Sequence, residues 1–255
     1  LFRLLRQLSA KMELTLCSVD GGGLRNAIPR EAVATVVVPA DKEAEVMATV
    51  AEFEKTVIVE FADIEDSISI KAEPAEAPAT AMPACAAKRR MAAVVACPDG
   101  VEKMSVAMEG LVQTSNNLAR VVSDGEQVRL QSLMRSSSRS EKEALGDSIK
   151  AVFELAGAEV ELSGSYDGWS PNMKSPILKA MLESYEALYS KKPAVMAIHA
   201  GLECGIIGSN YPNLDMISFG PTICYPHSPD EKVEIASVEK FYDFLLHTLK
   251  NAPKK

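Results

Sequence analysis

Histidine, tryptophan and closely spaced cysteines are scarce in this sequence. Its 255 residues include three histidines, one tryptophan and five cysteines. The cysteines form no CxxC pair, so the chain lacks the spacing of a zinc module or of a disulfide framework. We expect mostly buried, reduced thiols and a cytoplasmic protein.

A net positive charge, long apolar runs and phosphate-binding motifs are also missing. The net charge is −8, and the longest basic run is Lys88-Arg89-Arg90, which argues against a nucleic-acid partner. No apolar run approaches the roughly 18 residues that a membrane span needs, and no signal peptide is recognisable, so we expect no membrane partner. The glycines at 21–23 fit neither GxGxxG nor the Walker spacing.

What is present is the composition of a globular protein. With 47% hydrophobic and 24% charged residues, the chain can bury a sizeable core. It begins with Leu1-Phe2-Arg3-Leu4-Leu5, which resembles the end of an amphipathic helix and carries no initiator methionine. We therefore interpret the sequence as a fragment.

Residues 1–162 repeat one order of strands and helices. Partial alternation predicts strands over 12–18 and 31–38, a helical period follows from Asp41, and alternation returns over 67–74. Strands over 111–122 and 126–135, a helix opened by Ser138 and a strand over 159–165 repeat that order. The pattern predicts two β-β-α-β units, over about 12–74 and 111–163, linked by a Pro- and Ala-rich segment and a helix over 85–97.

From residue 163 onwards, single strands and helices alternate. Ser175-Pro176 predicts a helix start, the apolar runs 194–200 and 216–221 predict buried parallel strands, and Ser237 is expected to cap the last helix. This order is typical of an α/β domain, in which ligands bind beyond the carboxyl ends of the strands. The segments 199–203 and 220–227 lie at such ends.

His227 is a candidate metal ligand or general base. It lies between Pro226 and Pro229, which would stiffen its loop, and neutral imidazole is the commonest zinc ligand. A surface histidine in a turn explains the same pattern. No second histidine or paired carboxylate stands nearby at ligand spacing, so the residues alone leave both interpretations open.

Arg135 and Asn26 are candidates for binding a ligand. Arg135 ends a predicted strand beside three serines, where its guanidinium could hold a carboxylate or could lie on an exposed sheet face. Asn26, in GGGLRNAIPR, could donate to a carbonyl oxygen, or could serve the turn because asparagine tolerates positive φ.

Five motifs together resemble those of one enzyme family. They are GGGLRNAIPRE, the LMRSS end of the second hairpin, SYDGWSPN, AIHAGLECGII and FGPTICYPHSPDEKVEI. The sequence resembles the bacterial aminoacyl-histidine dipeptidases, also called Xaa-His or cytosol non-specific dipeptidases, of the dinuclear-zinc peptidase superfamily that includes the carnosinases. The similarity runs in order over essentially the whole chain.

The resemblance implies an α/β plus α+β architecture. Residues 1–162 would form most of a lid domain built of the two β-β-α-β units, and residues 163–255 the C-terminal part of an α/β metallopeptidase catalytic domain. His227 would be the last metal ligand. Asn26, Arg135 and Gly201 would bind substrate, with Arg135 holding the free carboxylate of a dipeptide.

The resemblance also implies hydrolysis of dipeptides, preferably Xaa-His, by water that two divalent metal ions activate. The ions would be zinc, with cobalt or manganese as substitutes, and the enzyme would be a cytoplasmic homodimer. The family's His-x-Asp pair, bridging Asp and Glu-Glu general base are absent, so this chain alone is expected to hold no catalytic residue and to be inactive. The alternatives are a non-catalytic binding or dimerisation module, and a related metal-dependent deacylase or aminotripeptidase.

Overall fold

The chain forms two compact units in a computed structural model that describes residues 1–76, 78, 80–124, 127–169, 172–197, 203–226 and 230–253. The first unit comprises Leu1–Glu102, Ser115–Met134 and Glu141–Ser163. The second comprises Lys103–Thr114, Arg135–Ser140 and Gly164–Lys255, so it takes in two segments from before residue 163. The assignment of residues 1–162 to a lid and 163–255 to a catalytic domain stays a prediction.

The helices of the described residues match most of the predicted ones. They are α1 (Phe2–Lys11), α2 (Glu43–Glu60), α3 (Ala84–Ala96), α4 (Arg139–Leu155), α5 (Pro176–Tyr189), α6 (Glu203–Asn210) and α7 (Ile235–Lys250). Ser175 caps α5 as predicted, because its hydroxyl oxygen accepts a hydrogen bond from the backbone N–H of Leu178 at 3.1 Å.

The predicted cap of the last helix is wrong. Helix α7 begins at Ile235, two residues before Ser237. The Ser237 hydroxyl instead donates to the carbonyl oxygen of Glu234 at 2.6 Å and accepts from the backbone N–H of Thr222 at 2.9 Å. Ser237 therefore links the first turn of the helix to Thr222, which lies earlier in the chain. The residues around Ser237 in the sequence do not indicate this contact.

The central sheet contains five strands. These are β1 (Thr15–Gly22), β2 (Ala32–Val37), β3 (Gly100–Met104), β4 (Val112–Asp124) and β5 (Gln127–Ser136). Their order is β2-β1-β4-β3, and β5 also pairs with β4. Strand β1 runs antiparallel to both neighbours, with Gly21 opposite Ala32 and Gly22 opposite Arg120. The two predicted strand pairs, 12–18 with 31–38 and 111–122 with 126–135, are confirmed to within a few residues.

The third strand of each predicted β-β-α-β unit, which is its last element, is wrong. Residues 67–74 and 159–165 form no strand. The backbone N–H of Ile70 donates to the Glu54 carboxylate at 2.7 Å rather than to a neighbouring strand. Ile70, Ala72 and Val160 nevertheless pack against the core clusters. Alternation thus predicted which side chains face the core, but burial of one face does not require ladder hydrogen bonds.

The parallel strands predicted after residue 163 are also wrong where the structure describes them. Residues 192–197 and 214–220 form no strand, and the rest of the first run, 198–200, lies outside the described residues. The strands that do form there are β6 (Ile223–Cys224) and β7 (Lys232–Val233), an antiparallel pair. An apolar run becomes a strand only beside a partner, and no described segment pairs with these two runs.

The cores lie where the helices pack on the sheet. Leu14, Leu16 and Met91 are fully buried between α1, β1 and α3. Helix α4 packs its apolar face against β5; that face consists of Leu145, Ile149 and Phe153, and the β5 side chains are Leu130 and Met134. The mixed α/β character is confirmed. Within the described residues, every helix is too short or too polar to cross a bilayer.

Candidate functional site

Asn26 lies in the loop that joins β1 to β2. Its side chain is exposed. The loop turns on itself, since the backbone N–H of Ala27 donates to the carbonyl oxygen of Leu24 at 3.0 Å. At its base the N–H of Gly22 donates to the carbonyl oxygen of Glu31 at 3.2 Å. The first hydrogen bond therefore closes the turn that contains Asn26, and the second closes the base of the loop.

The positive φ in this region belongs to a glycine and not to Asn26. Gly22 has φ of 78°, whereas φ of Asn26 is not positive. A Cβ atom on Gly22 would overlap the carbonyl oxygen of Ala119 on β4. The glycine is thus needed where β1 bends away from β4. Asn26 lies in a turn, as the alternative interpretation expects, but without a positive φ.

A second asparagine, on β4, holds this loop. The Asn117 side-chain amide donates to the carbonyl oxygen of Ala27 at 2.8 Å and to that of Arg25 at 3.2 Å. Both acceptors flank Asn26 in the chain. All of these groups belong to the first compact unit.

Arg135 lies at the end of β5, in the second compact unit. The apolar side chains Val128, Leu130 and Met134 pack into the cores. On the other face Arg129 and Gln131 are exposed, but Arg135 is half-buried. Arg135 is thus more buried than its neighbours on that face, and its role in binding a carboxylate stays a prediction.

The backbone that follows Arg135 is held tightly. The hydroxyl groups of Ser136 and Thr114 are both buried and lie 2.8 Å apart. The backbone N–H of Ser137 donates to the carbonyl oxygen of Gln113 at 3.1 Å. A Cβ atom on Gly168 would overlap the carbonyl oxygen of Ser136, so a third chain segment packs directly on this backbone.

Ser136, the first of the three serines beside Arg135, uses its hydroxyl within the chain. The hydroxyl lies 2.8 Å from that of Thr114 and accepts a hydrogen bond from the backbone N–H of Ser138 at 3.0 Å. Ser136 therefore fixes the end of β5 and with it the base of the Arg135 side chain.

Gly201 and His227 lie outside the described residues, so the structure does not test these two predictions. Position 227 lies in the sequence between β6 and β7, which pair through Ile223 and Val233. Tyr225, directly after β6, has φ of 55°, an uncommon conformation for a bulky residue. Glu234 N–H donates to the carbonyl oxygen of Thr222 at 3.0 Å and closes the pair beyond its last rung.

The described residues do not assemble a metal site by themselves. Across the described ranges, no three His, Cys, Asp or Glu side chains come together in the way that a bound ion requires. Burial and then the charge of Asp99 raise the pKa of the Cys97 thiol to about 11, so this thiol is protonated at neutral pH.

Comparison with known proteins places this geometry in a family. Residues 18–251 match peptidase family M20/M25/M40. The chain belongs to this family. It is 37% identical over its whole length to the cytosol non-specific dipeptidase of Escherichia coli (strain K12), of which it covers 53%. It is also similar to the crystal structure of aminoacylhistidine dipeptidase from Vibrio alginolyticus, with a TM-score of 0.91 and 39% identity over the whole chain, covering 53% of that structure.

This chain of the M20/M25/M40 peptidases spans about half the length of these two relatives. The predicted family is confirmed, and so is the mixed α/β fold. Sequence reasoning missed Asn117, Thr114 and Gly168, which hold the backbone next to Asn26 and Arg135. A glycine inside SYDGWSPN was a signal for Gly168, since a loop glycine often marks a close backbone approach, but Asn117 and Thr114 carry no local signal.

Proposed function

We propose that this chain is part of a metal-dependent dipeptidase that prefers Xaa-His substrates. One observation carries the proposal: over its whole length the chain is 37% and 39% identical to two proteins that are both named as dipeptidases. The half-buried Arg135 supports it, because a guanidinium on a fixed strand end is suited to a carboxylate, and every dipeptide has a free one.

In this proposal the chain binds and orients the substrate. Arg135 holds the C-terminal carboxylate, Asn26 donates to the carbonyl oxygen of the scissile bond, and Gly201 lines the site with its backbone. The serine and threonine pair behind Arg135 prevents the end of β5 from shifting when the carboxylate binds. Closure of a lid formed by residues 1–162 would exclude water.

The metal ions of the proposed enzyme need ligands from beyond the described residues. His227 is the one ligand that we assign to this chain. When bound, two zinc ions, or cobalt or manganese ions in their place, would polarise the peptide carbonyl and activate water. Without the remaining ligands and the general base, the 255-residue chain should be inactive alone.

The surface of α7 supports the proposal that this chain works as part of a longer polypeptide. Ile235, Val238, Tyr242 and Leu249 are spaced by three, four and seven residues, and their exposure ranges from 42% for Val238 to 86% for Ile235. Such spacing puts them on one side of the helix. An apolar stripe of this length is usually covered, and the relatives have further chain that could cover it.

A homodimer in the cytoplasm completes the proposal. Strand β2 is an edge of the described sheet, and Val33 on it is 68% exposed. An exposed edge strand offers unpaired N–H and C=O groups to a second chain. The Escherichia coli relative is named as a cytosolic enzyme.

The test uses the longer polypeptide that contains this chain, purified with its metal. We expect hydrolysis of Xaa-His dipeptides to exceed that of other dipeptides, of tripeptides and of N-acyl amino acids, to stop on chelation and to return with zinc. His227→Ala should lose bound metal and activity together, while His247→Ala, on α7, should keep both. Turnover that survives chelation, or a His227→Ala enzyme with full metal content and normal turnover, would contradict the proposal.

A further inference from the structure

We infer that Asn117 is a positioning residue that sets the backbone conformation of Asn26. The inference rests on the proposed function only for what Asn26 does with substrate. The contact itself is a property of the β1–β2 loop and can be measured without any activity.

The Asn117 side chain connects β4 to the β1–β2 loop beyond the point where the β1–β4 hydrogen-bond ladder ends. The pairing runs from Asp20 opposite Val122 to Gly22 opposite Arg120. If the ladder continued in this register, residue 25 would lie opposite residue 117. The main chain instead bends away at Gly22, and the amide of Asn117 bridges the gap to the loop.

The hydrogen bonds fix the two peptide planes that determine φ and ψ of Asn26. The plane before Asn26 carries the Arg25 carbonyl, which accepts from Asn117. The plane after it carries the Ala27 N–H, which donates to Leu24. Asn117 also binds the Ala27 carbonyl in the next plane, so both amide protons of one side chain are used. The direction of the Asn26 side chain follows from that backbone.

The strand that carries Asn117 is itself anchored. The backbone N–H of Leu118 donates to the Asp99 carboxylate at 2.8 Å. Ala119, one residue further, is fully buried and lies against Gly22. Asn117 thus links an exposed loop to a rigid part of the sheet, which is what a positioning residue requires.

Three variants of the 255-residue chain separate a donor role from a space-filling one. Asn117→Ala removes both hydrogen bonds. Asn117→Asp keeps the shape but directs a carboxylate at two carbonyl oxygens, so it should loosen the loop more than alanine does. Asn116→Ala is the matched control, since the neighbouring side chain is buried and donates to the carbonyl oxygen of Pro98 at 2.7 Å, away from the loop.

The readout is hydrogen exchange of the Ala27 amide relative to core amides of β1. Loss of two neutral hydrogen bonds should speed its exchange by about tenfold in Asn117→Ala, more in Asn117→Asp, and leave the ratio unchanged in Asn116→Ala. Unchanged exchange in both Asn117 variants would overturn the inference. So would an Asn117→Asp loop as well protected as the native one, since that would indicate space filling.

A double-mutant cycle in the longer polypeptide tests the link to substrate. If Asn117 acts through Asn26, Asn117→Ala should lower kcat/KM, mainly through kcat, and should add nothing in an Asn26→Ala background. Additive losses would overturn the link. A wild-type polypeptide without dipeptidase activity would refute the proposed function, while the exchange measurement would still decide whether Asn117 holds the loop.

Discussion

The hydroxyl groups of Thr114 and Ser136 lie 2.8 Å apart in a buried contact between the start of β4 and the end of β5. Ser136 is the residue after Arg135, so this contact fixes the backbone next to the residue that we assign to the substrate carboxylate. Thr114 is 1% exposed and Ser136 is 8% exposed, so neither hydroxyl can turn to bulk water if its partner is removed.

The losses of stability on removing the two hydroxyl groups of this pair should not be additive. Thr114→Val leaves the buried Ser136 hydroxyl without this partner and should lower the free energy of unfolding by about 1–3 kcal/mol. The double variant Thr114→Val/Ser136→Ala should be more stable than the sum of the two single losses predicts. Urea denaturation of the four proteins measures this, and strictly additive losses would contradict the assigned contact.

Gly168 should tolerate no side chain. A methyl group there would collide with the carbonyl oxygen of Ser136, and relief of that collision requires a backbone shift. Gly168→Ala should therefore destabilise the second unit by about 1–3 kcal/mol, as overpacking does. Gly220→Ala is the matched control, because nothing lies within 4 Å of the added Cβ and its φ is not positive. Thermal unfolding compares the two, and equal melting temperatures would refute the close approach.

The thiols at the two ends of α3 should differ in reactivity. Cys85 is exposed, whereas Cys97 is buried with its pKa raised from 9.0 to about 11. At pH 8 the thiolate fraction of Cys97 is about a hundredfold below that of an ordinary cysteine, so a disulfide reagent should label Cys85 first. With the label located by peptide mass spectrometry, Cys85→Ser should remove the fast-labelled site on α3 and Cys97→Ser should keep it. Labelling of native Cys97 as fast as Cys85 would contradict its burial.

The same raised pKa gives a pH dependence of stability. A folded-state pKa above the unfolded value of 9.0 means that the native state favours the protonated thiol. This contribution is fully present below pH 9 and is lost as the pH rises towards 11. The difference in unfolding free energy between the native chain and Cys97→Ser should therefore shrink over that interval.

Local signals predicted the elements whose determinants lie within a few residues. Ser175 with Pro176 set the start of α5, and the apolar spacing of α4 set the face that packs on β5. Alternation over 67–74 gave the correct buried side, but Ile70 donates to Glu54 instead of to a strand. Whether a half-buried segment joins a sheet depends on a partner that alternation does not specify.

The sequence indicated candidate ligand-binding residues, which stay predictions, but not the residues that hold their backbone. Arg135 stood out as a candidate because a guanidinium at a strand end suits a carboxylate and because the motif around it resembles the family's. Asn117 did not, because its role depends on a bend at Gly22, more than ninety positions away in the chain, and on the register between β1 and β4. Residues that position others are defined by three-dimensional neighbours, and one sequence does not supply these.

The binding of a free carboxylate by Arg135 is the central claim, and paired substrates test it most directly. In the longer polypeptide, Arg135→Ala should lower kcat/KM for dipeptides with a free C-terminus by about 10- to 100-fold, which is the loss expected for a charged hydrogen bond. For the same dipeptides with an amidated C-terminus, kcat/KM should change little. Arg135→Lys keeps the charge without the fork and should fall between. An equal loss on free and amidated substrates would contradict the account.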